Sequence, residues 1–115
     1  MATNPDRTCP VEGGELPDCA GIIAALEATT GKQVELIAGK PSPMMIQASG
    51  VLLGVPVEQC LVVGDRLETD ILMGREAGAR TAVVLTGVTR REDLATSPVQ
   101  PDHVLENISG ILDLL

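Results

Sequence analysis

Apolar positions along the chain cluster into short continuous runs and into helical stripes. Three segments have the length of strands, and glycine or proline follows them closely: the continuous run 60–63, and the mainly apolar segments 34–38 and 81–85. A shorter run, His103-Val104-Leu105, predicts a last strand. Because helical segments separate these runs, the pattern predicts an α/β fold with a parallel sheet and right-handed crossovers.

Helical spacing of apolar residues predicts a helix from about Pro17-Asp18 to Gly31 and a second that ends at Gly54. The second helix should bury one stripe of side chains: Met44, Ala48, Val51 and Leu52. Further helices are expected from about Thr69 to Ala77 and over the last eight residues. Residues 1–17, which contain three prolines and adjacent glycines, are expected to be irregular.

Composition narrows the class of protein. A chain of 115 residues is one small domain, and without Phe, Tyr or Trp its core must be aliphatic. A net charge of -8 argues against a nucleic-acid partner, because such a protein needs a basic face. No apolar stretch reaches the roughly 20 residues of a membrane span, and the first residues do not resemble a signal peptide. An odd number of cysteines without a CxxC pair is typical of a reducing compartment, so we expect a cytoplasmic protein. Because no membrane span is present, we expect no membrane partner.

Three charged residues follow predicted strands. Asp65 comes directly after the apolar run 60–63, Asp70 lies five residues further on, and Lys40 follows the run 34–38. Open α/β sheets bind ligands at the carboxyl ends of their strands, so these residues suggest a site for a metal ion and a phosphate. Asp70 could instead cap the following helix, and Lys40 could be an ordinary solvated lysine. Thr86-Gly87-Val88 is interpreted as a plain turn after a strand.

Two segments resemble the third and fourth motifs of haloacid dehalogenase-like (HAD) phosphatases: Gly39-Lys40-Pro41-Ser42-Pro43 and Gly64-Asp65-Arg66-Leu67-Glu68-Thr69-Asp70-Ile71. The chain is most similar to the subfamily that has a large C2-type cap. This subfamily includes 4-nitrophenyl phosphatases, NagD-type nucleotide phosphatases and phosphoglycolate phosphatase. Residues 2–6, 17–31 and 85–88 resemble, in order, the end of that cap, the helix returning to the core and a later loop. The resemblance implies a Rossmann-like parallel sheet flanked by helices.

The resemblance also implies a role for each matching residue. Lys40 would steady the nucleophile and the phosphate, Asp65 would bind Mg²⁺, and Asp70 would support the metal site through water or through Lys40. Asn4 and Asp6 would be polar cap residues that face the entrance of the active site and bind substrate. The expected substrate is a small phosphate monoester.

The chain departs from the family pattern at the nucleophile. Family members carry a DxD motif on the first core strand, and no DxD occurs here. The resemblance therefore implies a truncated, incomplete fold that lacks the first core strands and most of the cap. Residues 1–17 would be a remnant of the cap and linker, and 18–115 the C-terminal half of the core. A phosphatase is the expected class of enzyme, with this chain inactive alone.

The partner and the alternative function follow from the same departure. In the family, the first core strand lies beside the strand that ends at Asp65. Without it that strand would expose an apolar edge, so we expect either a homodimer or pairing with the missing N-terminal half. The alternative function is a non-catalytic binding or oligomerisation module that keeps the HAD fold.

Overall fold

The computed structural model of the protein describes residues 1–114. The strands and helices occur in this order: β1 Thr8–Val11, β2 Gly14–Pro17, α1 Cys19–Thr30, α2 Met44–Leu53, β3 Leu61–Gly64, α3 Leu72–Ala77, β4 Arg80–Val84 and β5 His103–Leu105. Three short 3₁₀ helices and one π turn complete the chain: Val57–Gln59, Leu67–Ile71 (the π turn), Arg91–Ala95 and Ile108–Leu114. No helix in this part of the chain is long and apolar enough to cross a membrane.

The main sheet is parallel and has the order β3-β4-β5. Leu61 of β3 is aligned with Arg80 of β4, and Ala82 of β4 with His103 of β5. The α/β class and the parallel sheet predicted from the apolar runs are therefore confirmed, with helices between the strands. Because β3 is the outer strand, one of its edges has no strand partner within residues 1–114.

The core lies where the π turn packs on the sheet. Leu67 and Ile71 of the π turn and Val83 of β4 are almost completely buried, and Leu94 and Val99 pack against them. Aliphatic side chains alone form this cluster, as the absence of aromatic residues requires. The cluster fixes the π turn, and thereby Asp70 within it, directly on the sheet.

Asp102 joins the start of β4 to the start of β5. Its Oδ2 accepts hydrogen bonds from the hydroxyl of Thr81 at 2.9 Å and from the backbone N–H of Thr81 at 2.7 Å. The Thr81 hydroxyl and N–H, with smaller contributions from Arg75 and His103, lower the pKa of Asp102 despite the opposing effect of desolvation. Since the carboxylate stays charged, it keeps the buried hydroxyl of Thr81 paired.

Two expectations for the first 38 residues are wrong. Residues 8–17 form an antiparallel hairpin in which Thr8 is aligned with Pro17, where we expected irregular structure. The segment 34–38 contains no strand, only a parallel bridge between Ile37 and Ala2. The hairpin side chains are all exposed, so this strand pair has no buried face that would produce an apolar pattern.

The predicted buried stripe of α2 is also wrong. Val51 and Leu52 are 83% and 87% exposed, and Met44 and Ala48 are exposed as well. Gly50 is the buried residue, because the helix approaches the rest of the chain on that side. The helix ends at Gly54 as predicted, but Val51, Leu52 and Leu53 remain 70–87% exposed within residues 1–114.

The later helices lie where the sequence predicts them, but they are not α-helical throughout. The segment predicted to be helical from Thr69 begins at Leu67 as a π turn and becomes α-helical only at Leu72. In that wide turn the carbonyl of Arg66 accepts the N–H groups of both Asp70 and Ile71. The C-terminal segment is a 3₁₀ helix.

Candidate functional site

Asp65 stands at the carboxyl end of β3, where the loop after β4 approaches it. Its Oδ2 accepts a hydrogen bond of 2.8 Å from the N–H of Val88, and its carbonyl accepts one of 3.0 Å from Thr89. Gly87 permits this approach, because a Cβ at that position would overlap the carboxylate of Asp65. The second carboxylate oxygen, Oδ1, makes no hydrogen bond within the described residues.

Asp70 lies beneath Asp65 and is almost buried, with 7% of its surface exposed. Its Oδ2 accepts hydrogen bonds from the N–H groups of Asp65 at 3.2 Å and Arg66 at 3.1 Å. Gly64 leaves room for the side chain, since a Cβ there would overlap Asp70. Asp70 therefore fixes the backbone of the turn that presents Asp65, which differs from capping the first turn of α3.

Lys40 reaches the same place from a segment 30 residues earlier. Its Nζ donates to Oδ1 of Asp70 at 2.8 Å, and the lysine side chain is half exposed. An ammonium group has three donors, so two remain for a ligand. The structure thus brings together Lys40, Asp65 and Asp70, the three residues that the sequence placed at the carboxyl edge of the sheet.

Asn4 and Asp6 lie in the N-terminal segment, which runs beside the segment before Lys40. Thr3 is so close to Gly39 that a Cβ on the glycine would overlap its carbonyl oxygen. Oδ1 of Asn4 accepts the N–H of Asp6 at 2.9 Å, which closes a small turn. Asp6 also lines an open cavity of about 470 Å³, and Arg66 lines the same cavity.

The two carboxylates of the site differ in whether an oxygen remains that could take a metal ion. Both oxygens of Asp70 accept hydrogen bonds, from Lys40 and from backbone N–H groups, whereas Oδ1 of Asp65 accepts none from residues 1–114. Mg²⁺ prefers such hard oxygen ligands and often takes only one or two carboxylates from the protein. The described residues contain no group of three His, Cys, Asp or Glu side chains arranged to hold a metal ion.

Two features of this region have little signature in the sequence. The segment 86–88 is predicted to be a plain turn, yet the backbone N–H of Val88 donates to Asp65 and orients it. A backbone donor has no residue signature, and only Gly87 after a buried strand could have indicated the close approach. Thr69 was also not singled out, although its hydroxyl is buried and has no hydrogen-bond partner in the part of the chain that the structure describes.

Comparison with protein families identifies one family over most of the chain. Residues 37–111 match the family described as HAD-hydrolase-like. The chain is 38% identical over 114 residues to the sugar phosphatase AraL of Bacillus subtilis and 36% identical over 111 residues to the ribonucleotide monophosphatase NagD of Escherichia coli. These alignments cover 99% and 96% of this chain but only 41% and 43% of the relatives.

Solved structures give the same result for the fold. A 4-nitrophenylphosphatase from Thermotoga maritima matches with a TM-score of 0.84 and 43% identity, covering 95% of this chain and 42% of that one. NagD from Escherichia coli matches with a TM-score of 0.81 and 33% identity, again covering 95% and 42%. The chain thus spans about two fifths of the relatives it matches. It belongs to the HAD-hydrolase-like family.

Proposed function

We propose that this chain carries the lysine and the metal-binding carboxylate of a Mg²⁺-dependent phosphate-monoester hydrolase, and that the attacking aspartate comes from another polypeptide segment. The observation that carries the proposal is the hydrogen-bonded group of Lys40 and Asp70 directly beneath Asp65 at the end of β3. The relatives named above as phosphatases support the same class of reaction.

Each residue has a distinct role in this proposal. Asp65 would hold Mg²⁺ through its free Oδ1, while Val88 keeps the other oxygen in place. The metal ion would supply charge neutralisation for the phosphoryl oxygens. Lys40 would donate its remaining N–H groups to the phosphoryl group, and Asp70 positions both Lys40 and the backbone of Asp65.

In this proposal neither carboxylate of the site, among residues 1–114, is left to attack phosphorus, because Asp65 would hold Mg²⁺. Asp70 is fully engaged in hydrogen bonds, and a DxD motif does not occur in the sequence. Nucleophilic catalysis needs an attacking group that forms the covalent intermediate. Lys40 and Asp65 can bind and neutralise a phosphate ester, but they cannot supply that attack.

We therefore expect the purified chain to hydrolyse 4-nitrophenyl phosphate in Mg²⁺ no faster than its Asp65→Ala variant. The unaltered chain should bind Mg²⁺ more tightly than the variant, because only the unaltered chain keeps the carboxylate ligand. The affinity is measured by Mg²⁺ titration followed through the amide NMR shifts of residues 64–66 and 88. Robust turnover that disappears in Asp65→Ala would show that a nucleophile is already present. Equal Mg²⁺ affinity in both proteins would contradict the assignment of Asp65.

The alternative, a non-catalytic HAD-fold module that acts by association, has its own support. The outer edge of β3 is unpaired within residues 1–114, and α2 exposes the large side chains of Val51, Leu52 and Leu53. Unpaired edges and exposed apolar faces promote association.

In this proposal residues 1–17 belong with a cap and residues 18–115 with a core. The partner is a second copy of the chain or an N-terminal half.

Association can be measured independently of activity. We expect sedimentation equilibrium to give a mass that rises with concentration towards that of a dimer, and the backbone amides of β3 to become protected from hydrogen exchange at the same time. A monomer at all concentrations, with β3 amides that exchange quickly, would contradict self-association and leave the N-terminal half as the proposed partner.

A further inference from the structure

A second cavity, of about 300 Å³, adjoins the loop that holds Asp65 in place. Leu67 and Glu68 of the π turn form part of its lining, and the segment 88–98 contributes the rest. We infer that this cavity binds an alkylammonium group. The inference goes beyond the proposed function, because it involves neither Mg²⁺ nor a phosphate ester.

The charged side chains that line the cavity are all acidic. Glu68 and Asp93 belong to the lining, and no lysine, arginine or histidine among residues 1–114 does. The side chain of Glu68 is exposed and accepts no hydrogen bond within that range. Oδ2 of Asp93 accepts the N–H of Arg90 at 2.8 Å, which leaves the other oxygen of Asp93 for a ligand. A cation with N–H groups would pair with both carboxylates.

Two hydroxyl groups of the lining also require a ligand that donates hydrogen bonds. Thr96 Oγ1 donates to the carbonyl of Asp93 at 3.4 Å, and Ser97 Oγ donates to the carbonyl of Val99 at 3.0 Å. Because a hydroxyl group has a single proton, these two can only accept a hydrogen bond from a ligand. An alkylammonium group has three donors and no acceptor, so it matches a lining made of acceptors.

Thr89 provides independent evidence for a ligand in this cavity. It lines the cavity and is only 5% exposed, yet its hydroxyl makes no hydrogen bond with any residue from 1 to 114. A hydroxyl group withdrawn from water without a partner costs free energy, and a ligand in the cavity would supply the partner. The backbone of Thr89 is already engaged, because its N–H donates to the carbonyl of Asp65 at 3.0 Å.

A metal ion suits this cavity less well than an organic cation. Ca²⁺ takes roughly six to eight oxygen ligands. Residues 1–114 contain no group of three His, Cys, Asp or Glu side chains arranged to hold a metal ion. The volume of about 300 Å³ also leaves room for an alkyl chain, which would pack on the apolar part of the lining: Leu67, Val88 and Pro98.

The test uses two probes and three variants. Butylammonium is compared with tetramethylammonium, which has the same charge but no N–H donor. Each is titrated in EDTA at constant ionic strength into the ¹⁵N-labelled chain, and the amide shifts of residues 67–68 and 88–97 are followed. The variants are Thr89→Val, Glu68→Gln and the matched control Glu92→Gln. Glu92 belongs to the same 3₁₀ helix as Asp93 but does not line the cavity.

We expect butylammonium to bind saturably and more tightly than tetramethylammonium. Thr89→Val and Glu68→Gln should each weaken its binding about fivefold, the scale of one hydrogen bond, whereas Glu92→Gln should not change it. Thr89→Val should fold normally, because it removes a hydroxyl that makes no bond within the described chain. Equal binding of the two probes, or equal losses in Glu68→Gln and Glu92→Gln, would reveal only general attraction to an acidic surface and overturn the inference.

Three further ligands identify the source of the cation. Tighter binding of 1,4-diaminobutane than of Nα-acetyl-lysine amide would support the inference with a free amine as the occupant. The reverse order would support it with a lysine side chain from another polypeptide. Tighter binding of Ca²⁺ than of either amine, lost in Glu68→Gln, would overturn the inference in favour of a metal site. Since no titration contains Mg²⁺ or phosphate, these outcomes leave the proposed function untouched.

Discussion

A polypeptide that supplies a DxD-bearing first core strand is expected to give this chain Mg²⁺-dependent phosphatase activity. The added aspartate would provide the nucleophile that Lys40, Asp65 and Asp70 lack, and the free edge of β3 offers a place for the added strand to pair. The gain should be on the order of 10⁴-fold or more, the scale of rate that the removal of a covalent nucleophile costs other hydrolases.

The experiment uses two proteins and matched variants of each. The N-terminal part of a related phosphatase is mixed with this chain, and 4-nitrophenyl phosphate hydrolysis is followed with and without Mg²⁺. Replacement of the first aspartate of the added DxD by asparagine, or Asp65→Ala in this chain, should abolish the gain. An equal gain with Asp65→Ala would show that the added segment acts alone, and the proposal that this chain completes the site would be wrong.

Strand pairing and catalysis should follow a fixed order in such a mixture. Pairing along β3 must precede catalysis, because the added aspartate has to reach the carboxyl end of that strand, next to Asp65.

The sequence predicted those parts of the fold that depend on local patterns. Apolar runs located β3, β4 and β5. The reason holds best for the central strand β4, which is covered on both faces and therefore needs apolar residues on both, whereas the side chains of β3 are only half-buried. The meeting of Lys40 with the two aspartates was also predictable, although 30 residues separate Lys40 from Asp70. The rule that parallel strands end at the same edge of a sheet predicted this meeting, although the segment before Lys40 forms only the bridge between Ile37 and Ala2 and no strand.

Other features depend on contacts that leave no mark on the sequence. The hairpin at 8–17 has two exposed faces, so no alternation of apolar residues revealed it. The stripe of α2 was assigned to the interior because apolar residues usually face a partner, yet Val51 and Leu52 face away from the rest of the described chain. Val88 contributes a backbone N–H, which any residue could provide.

Replacement of Asp70 by alanine should destabilise the chain by about 2 kcal/mol or more, whereas Lys40→Met should cost less than about 1 kcal/mol. Asp70→Ala leaves the N–H groups of Asp65 and Arg66 without their acceptor, and an unsatisfied buried donor costs about 1–3 kcal/mol. Lys40 is half exposed, and ion pairs that water can reach contribute little. Urea denaturation of both variants measures the difference in free energy of unfolding, compared at the same dependence of that free energy on urea concentration.

Asp70→Asn tests which function of the carboxylate matters. The amide keeps an oxygen for the two N–H groups but loses the charge that holds Lys40, so its stability should lie close to that of Lys40→Met. Its Mg²⁺ affinity should stay near that of the unaltered chain, because the turn presenting Asp65 remains in place, whereas Asp70→Ala should lower both. If Asp70→Ala and Lys40→Met prove equally stable, the ion pair rather than the backbone hydrogen bonds is what Asp70 contributes. In that case the position of Asp65 would depend on Val88 and Gly87 alone.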